Sequence, residues 1–129
     1  MPARKNEDAT VAAPAAASAD PTDRHQLAVE ARKAGQWGAL RFGPGKNYMA
    51  DGWTKMPYYL DGLWTEYPVA SYLATLAFAR RQGVDYFVVE RVGEGSKAQP
   101  DYAPGLAHEA RYRSDSYPYV VDFYRILSK

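Results

Sequence analysis

A helical pattern that runs directly into a strand pattern lies in the middle of the chain, between residues 64 and 92. Pro68 suits the first turn of a helix, where its missing N–H leaves no hydrogen bond unmade. Gly83 suits the position just past a helix end, because a left-handed backbone costs least without a Cβ. β-Branched and aromatic residues dominate residues 84–92 and favour a strand. This stretch therefore predicts a principal helix over residues 68–82, followed at once by a strand on which the remaining elements pack.

The predicted helix shows unusually little polar surface. Apart from Ser71 and Thr75, the residues from 69 to 79 are apolar or aromatic. An apolar stripe this wide predicts burial on more than one side of the helix, either by other elements of the fold or by a partner. We expect Leu73 in the core, together with Val88, because the following strand is apolar on both faces at its centre.

The N-terminal part of the chain divides into three segments. Residues 1–21 are rich in Ala and Pro and predict a disordered tail, since they bury too little apolar surface to offset the entropy of ordering. Residues 22–35 predict a weaker helix with a thin apolar stripe that ends at Gly35. The imperfect alternation over residues 36–42 suggests a strand.

The remaining segments of the chain are assigned from turn-forming residues and from the alternation of apolar and polar side chains. The pairs Asp51-Gly52 and Asp61-Gly62 are flanked by apolar and aromatic residues, and the second pair predicts a hairpin over residues 53–64. Residues 106–113 are compatible with either a helix or a strand, whereas residues 118–127 form a clear final strand. These patterns predict an α+β fold with a small antiparallel sheet of three to five strands. The principal helix lies across this sheet, and residues 22–129 form a single domain.

Composition excludes several classes of protein. The absence of cysteine rules out disulfides, a thiol nucleophile and thiolate metal sites. A net charge of +1 is far below that of a dedicated duplex-binding protein. No apolar run approaches the ~20 residues that span a bilayer, and no signal-peptide pattern opens the chain. We therefore expect a soluble, cytoplasmic protein without a metal or a cofactor.

Candidate catalytic residues are few and lack a motif. His25 and His108 stand in no metal-ligand spacing and are interpreted as surface histidines. Glu90 and Asp122 fall in the middles of two predicted strands, and they could form an acid–base couple if they faced each other in a cavity. Alternatively, each faces solvent or pairs with an arginine across the sheet, the candidates being Arg91, Arg113 and Arg125.

The most informative cluster is aromatic, with all three tryptophans between residues 37 and 67. Aromatic residues with basic neighbours stack on nucleic-acid bases, and they also dominate the hot spots of protein interfaces. About half of such aromatics are expected in the core of a small sheet, and Tyr48 and Trp53 are the best exposed candidates because they flank a glycine turn. The predicted partner-binding residues are Tyr48, Trp53, Lys55, Tyr58, Tyr59 and Trp64.

Three functional hypotheses follow from these residues. The leading one is a non-enzymatic binding module that contacts another protein, as an accessory subunit or an inhibitor of a larger machine. The second is single-stranded nucleic-acid binding by the aromatic and basic hairpin. The third is a small enzyme that uses Glu90, Asp122 or His108 for acid–base chemistry.

Overall fold

The structure, a computed structural model, describes residues 21–128. Two α-helices, two short 3₁₀-helices and five strands make up this part of the chain. In chain order they are α1 (Pro21–Phe42), β1 (Asn47–Met49), a first 3₁₀-helix (Met56–Tyr59), β2 (Leu63–Thr65), α2 (Tyr72–Arg81), β3 (Tyr86–Val92), a second 3₁₀-helix (Gly93–Lys97), β4 (Leu106–Arg113) and β5 (Tyr119–Ile126). The predicted tail over residues 1–21 lies outside the described residues, except for Pro21 at the start of α1.

The five strands form one sheet in the order β2-β1-β3-β5-β4. The predicted α+β class is confirmed, but the sheet is mixed, with β1 parallel to both β2 and β3. β5 runs antiparallel to β3 on one side and to β4 on the other. The segment that could have been a helix or a strand is therefore an edge strand, β4.

The predicted hairpin over residues 53–64 is wrong, because its first half is the 3₁₀-helix and β2 returns parallel to β1. The Asp61-Gly62 pair does not close a hairpin turn. Instead it lies along the backbone of Gly45 and Lys46, where Gly45 N donates to the Asp61 carbonyl at 3.1 Å and Leu63 N donates to the Lys46 carbonyl at 3.0 Å. A Cβ on Gly62 would meet the Lys46 carbonyl oxygen at 2.3 Å, so this glycine permits a close approach between backbones.

The predicted boundary between a helix and a strand at Gly35 is also wrong, since α1 continues to Phe42. A Cβ on Gly35 would lie 2.6 Å from the Met56 carbonyl oxygen, and one on Gly38 would lie 2.7 Å from Leu60 Cδ2. These glycines let the first 3₁₀-helix pack against α1. The contact outweighs the roughly 1 kcal/mol that a glycine costs inside a helix.

The principal helix is shorter than predicted and begins at Tyr72. The Ser71 side chain caps it by accepting a hydrogen bond from Ala74 N at 3.2 Å. The predicted stop is confirmed, because Gly83 follows the helix with a φ of +72°. α2 buries only Thr75, Leu76 and Ala79, and the expected core residue Leu73 is 72% exposed.

Both faces of the sheet are covered, and each carries its own core cluster. On the α1 face, Val88 and Phe123 pack with Ala31 and Ala34 of the N-terminal helix. On the α2 face, the cluster consists of Met49, Leu76, Ala79, Val84, Phe87 and Tyr124. The predicted burial of Val88 is confirmed, while the helix expected to be the weaker one covers the larger cluster.

Candidate functional site

A patch of exposed aromatic and apolar side chains lies at the β2 edge of the sheet. Trp53 is 58% exposed and Tyr58 64%, and Tyr59 and Lys55 are exposed as well. Trp64 is half-buried and joins the patch, because its ring meets that of Tyr58 edge to face at a centroid distance of 5.6 Å. We call this patch the aromatic surface and define it by Trp53, Lys55, Tyr58, Tyr59 and Trp64.

The first 3₁₀-helix presents two of these rings. It buries Met56 and Pro57, and Leu60 just beyond it is also buried. Tyr58 is 64% exposed and its ring points outward, whereas Tyr59 is 39% exposed and its Cβ lies against Gly35 of α1. The contact between α1 and the first 3₁₀-helix therefore fixes the backbone that carries both tyrosines.

Lys55, in the loop before this 3₁₀-helix, has a strained backbone conformation. Lys55 has a φ of 66°, a left-handed conformation that costs a residue with a Cβ about 1–2 kcal/mol. Its N–H donates to the Gly52 carbonyl at 3.1 Å and closes a tight turn. Trp64 presses against Gly52, where a Cβ would come within 2.6 Å of its ring. Trp53 directly follows the glycine that the Trp64 ring contacts.

Glu90 on β3 holds this loop against the sheet through a hydrogen bond with Thr54. Thr54 donates its hydroxyl hydrogen bond to Glu90 Oε1, and Tyr119 donates to the same oxygen at 2.7 Å. The second oxygen, Oε2, is buried and has no hydrogen-bond partner among the described residues. Burial raises the pKa of Glu90, the two hydrogen bonds oppose this, and the negative charge of Asp51 adds to the increase.

Glu90→Gln should remove a pH dependence of stability. Because its pKa is raised, Glu90 binds a proton more tightly in the folded protein than in the unfolded chain. Wild-type stability therefore falls as the pH rises from the pKa of the unfolded state through the pKa of the folded state. The Glu90→Gln variant should therefore gain stability relative to wild type as the pH rises above the unfolded value of about 4.3, as measured by urea denaturation over that range. Glu66→Gln, at an exposed position, is the control and should track wild type. A constant difference between Glu90→Gln and wild type across this range would contradict the prediction.

The proposed acid–base couple does not form. In the register of β3 and β5, Asp122 stands opposite Val89, and Glu90 stands opposite Val121. Neighbouring residues in a strand point to opposite faces, so Glu90 lies on the α1 face and Asp122 on the α2 face.

Asp122 is fully buried and bound by a residue that the sequence did not single out, Arg111 on β4. Arg111 Nε lies 2.7 Å from Oδ1 and Nη2 lies 2.8 Å from Oδ2, which is bidentate geometry. His108 Nε2 is 2.8 Å from Oδ1. Burial raises the pKa of Asp122, but the hydrogen bonds and charges of Arg111 and His108 outweigh it and lower the pKa. None of the three predicted arginine partners makes this contact, and the alternative that Asp122 faces solvent is wrong. His108 is exposed, as predicted for a surface histidine, although its ring also contacts Asp122.

Tyr48 does not belong to the aromatic surface, although it was expected to be exposed. It is fully buried on β1, between β2 and β3, and its ring packs against Phe42, Tyr86 and Phe123. Burial raises the pKa of its phenol to about 12. The neighbouring glycine turn suggested exposure, but the strand pairing places Tyr48 in the interior.

The described residues were also searched for a metal site and for a membrane-spanning helix. Among residues 21–128, no three His, Cys, Asp or Glu side chains come together as a metal site. Within the same range, neither helix is both long and apolar enough to cross a membrane. His25 lies exposed on α1, far along the chain from the His108 contact.

Protein-family models, curated proteins and solved structures were compared with the chain, and none of them matches it. The fold and its surface define an α+β protein with a fixed, exposed aromatic patch at one sheet edge. Its function is therefore argued from the geometry of this patch.

Proposed function

We propose that this chain is a non-enzymatic binding module that contacts another protein through the aromatic surface, as an accessory subunit or an inhibitor of a larger assembly. The observation that carries the proposal is the exposure of Trp53 and Tyr58 in the segment that the half-buried Trp64 contacts, through the Tyr58 ring and through Gly52. Tryptophan and tyrosine are enriched at interface hot spots, and a rigid support lowers the entropy lost on binding. The strained backbone at Lys55 fits this role, because such strain clusters at functional sites.

The charges around the patch favour a protein over a nucleic acid as the partner. Lys55 is the one cation of the aromatic surface, and Asp51, Asp61 and Glu66 are exposed in the same segment of chain. A groove that follows a phosphate backbone needs a surplus of positive charge, which this arrangement does not offer. The enzyme hypothesis has less support than either binding hypothesis. Asp122 forms an ion pair with Arg111, and it lies on the opposite face of the sheet from Glu90. We place the activity in the cytoplasm, in keeping with a chain that has no cysteine.

Trp53→Ala combined with Lys55→Ala should weaken partner binding by ~2 kcal/mol or more, about 30-fold in Kd. Both side chains are exposed, and alanine at residue 55 is no more strained than lysine there, so the melting temperature should change by no more than ~2 °C. The measurement is quantitative affinity capture from lysate of the source cells, followed by titration of the purified partner that is found.

The matched control removes an aromatic residue and a lysine elsewhere, as Tyr102→Ala with Lys97→Ala, both of which are exposed. A protein that is captured equally by wild type and this control, and lost with the aromatic variant, supports the proposal. Equal capture by all three proteins contradicts it. Salt-sensitive binding of a single-stranded oligonucleotide that depends on Trp53 would favour the nucleic-acid alternative instead.

A further inference from the structure

A cavity of about 460 Å³ opens on the α2 face of the sheet, away from the α1 core. It lies between the start of α2, the sheet and the segment 98–105, which crosses the sheet on its way to β4. Its walls are mainly aromatic and aliphatic and include Tyr67, Tyr72, Phe87, Val89, Leu106 and Tyr124. This volume is within the range of small-molecule sites in proteins.

The walls of the cavity are held in place by hydrogen bonds. Tyr72 donates its hydroxyl hydrogen bond to the Pro104 carbonyl, and Asp101 N donates to the Tyr124 hydroxyl at 3.0 Å. Arg111 Nη2 also donates to the Ala98 carbonyl at 2.9 Å, which secures the start of the crossing segment. On the opposite wall, Tyr67 donates to the Val88 carbonyl at 2.9 Å. The site is therefore largely formed before any ligand arrives, which limits the cost of binding.

The charge and polarity of the walls define the class of ligand. Asp101 is the one acidic or basic residue of the lining, and Arg91 Nη2 neutralises it at 2.8 Å. Burial raises the pKa of Tyr67, and its phenol stays uncharged. The hydroxyls of Tyr67 and Tyr72 are engaged as donors, whereas that of Tyr124 accepts from Asp101 and keeps its own hydrogen free to donate.

Two of the most exposed apolar residues mark the entrance. Val69 is fully exposed and lies between Pro68 and Ala70, which both line the cavity. Tyr102 is 87% exposed and lies between two further lining residues on the opposite side. Exposed apolar residues therefore adjoin the lining residues in the chain on both sides of the cavity mouth.

We infer that this cavity binds an uncharged, predominantly aromatic small molecule with a hydrogen-bond acceptor directed at the Tyr124 hydroxyl. Tyr67 and Phe87 meet edge to face, with ring centroids 5.4 Å apart, and offer a flat ligand both ring faces and ring edges. A charged ligand would lose its hydration without finding an opposite free charge in the lining. The site is separate from the aromatic surface and does not depend on the function proposed for it.

The test is a fluorescence titration of the full chain with 6-propionyl-2-(dimethylamino)naphthalene, an uncharged aromatic dye whose ketone oxygen accepts hydrogen bonds and whose emission shifts to shorter wavelength in apolar surroundings. Wild type should bind with a saturable, single-site curve. Ala70→Trp places a bulky side chain at an exposed position of the cavity lining and should weaken binding at least tenfold. Ala77→Trp adds the same side chain at an exposed position of α2 outside the lining and should leave the affinity within twofold of wild type.

Three further readouts complete the test. The anionic dye 1-anilinonaphthalene-8-sulfonate should bind at least tenfold more weakly than the uncharged one. Dye addition should shift the amide NMR signals of Val89, Ala103 and Tyr124, independently of any variant. Trp53→Ala should leave dye binding unchanged. Absence of saturable binding, equal affinity of Ala70→Trp, equal affinity for the anionic dye or loss of binding in Trp53→Ala would each overturn the inference.

Discussion

Arg111→Met should lower the free energy of unfolding by about 3–5 kcal/mol at pH 7. Arg111 holds both oxygens of Asp122, and the Asp122 side chain is fully buried. Methionine has a similar length but no charge, so the substitution leaves a buried carboxylate whose remaining side-chain partner is His108. An uncompensated buried charge costs far more than the net contribution of the pair itself. Urea denaturation monitored by tryptophan fluorescence measures the loss.

The deficit of this variant should shrink as the pH falls. Since the folded-state pKa of Asp122 is lowered, its contribution in wild type is present above the unfolded value near 3.9 and is lost as the pH falls through the folded value. Protonation of Asp122 in the variant removes the uncompensated charge. Arg125→Met is the matched control, because its pair with Glu109 on the same two strands is exposed and contributes at most ~1 kcal/mol. Equal losses for Arg111→Met and Arg125→Met would contradict this account.

Phe123→Ala should cost about 3–5 kcal/mol, the range for removing a buried phenylalanine ring. Phe123 is fully buried at the centre of the α1-face core. Its ring lies 5.0 Å from that of Phe42 and 6.0 Å from that of Trp37, centroid to centroid. Alanine would leave a cavity between α1 and β5 that these rings cannot fill without moving the helix. Thermal and urea denaturation both report the change.

Leu73→Ala is the contrasting case and should change stability by no more than ~0.5 kcal/mol. The apolar pattern of its helix predicted a core residue, but 72% of Leu73 is exposed. If Leu73→Ala lowered the free energy of unfolding by ~2 kcal/mol or more, as is typical of a buried leucine, this face of α2 would be buried, as the sequence pattern predicted. A small loss at Leu73 beside a large one at Phe123 would confirm the position of the core.

The sequence predicted those features that depend on neighbours along the chain. The stop at Gly83, the strand that follows it and the final strand all agree with the structure. Helix caps and side-chain alternation act within one turn or one strand, so their signals are read directly from consecutive residues. The exposure of Trp53 was also predicted, because turn-flanking segments lie at the surface, but the same reasoning failed for Tyr48.

The errors concern contacts between residues far apart in the chain. Gly35 has the appearance of a helix stop, but it is a packing contact with the first 3₁₀-helix, and nothing near it in sequence shows this. The Asp61-Gly62 pair has the appearance of a hairpin turn, yet β2 pairs in parallel with β1. Arg111 and Asp122 share one β4–β5 pair, which could be recognised only after residues 106–113 were assigned to a strand.

The sequence by itself determined the class of fold, the helix end at Gly83 and the surplus of aromatic residues between positions 37 and 67. The tertiary structure decided the order of the strands, and with it which side chain faces which layer. Tyr48 is buried because β1 lies inside the sheet, and Glu90 and Asp122 are separated because adjacent register positions point to opposite faces. Strand order depends on the total free energy of pairing and burial across the whole chain, and no local pattern encodes it.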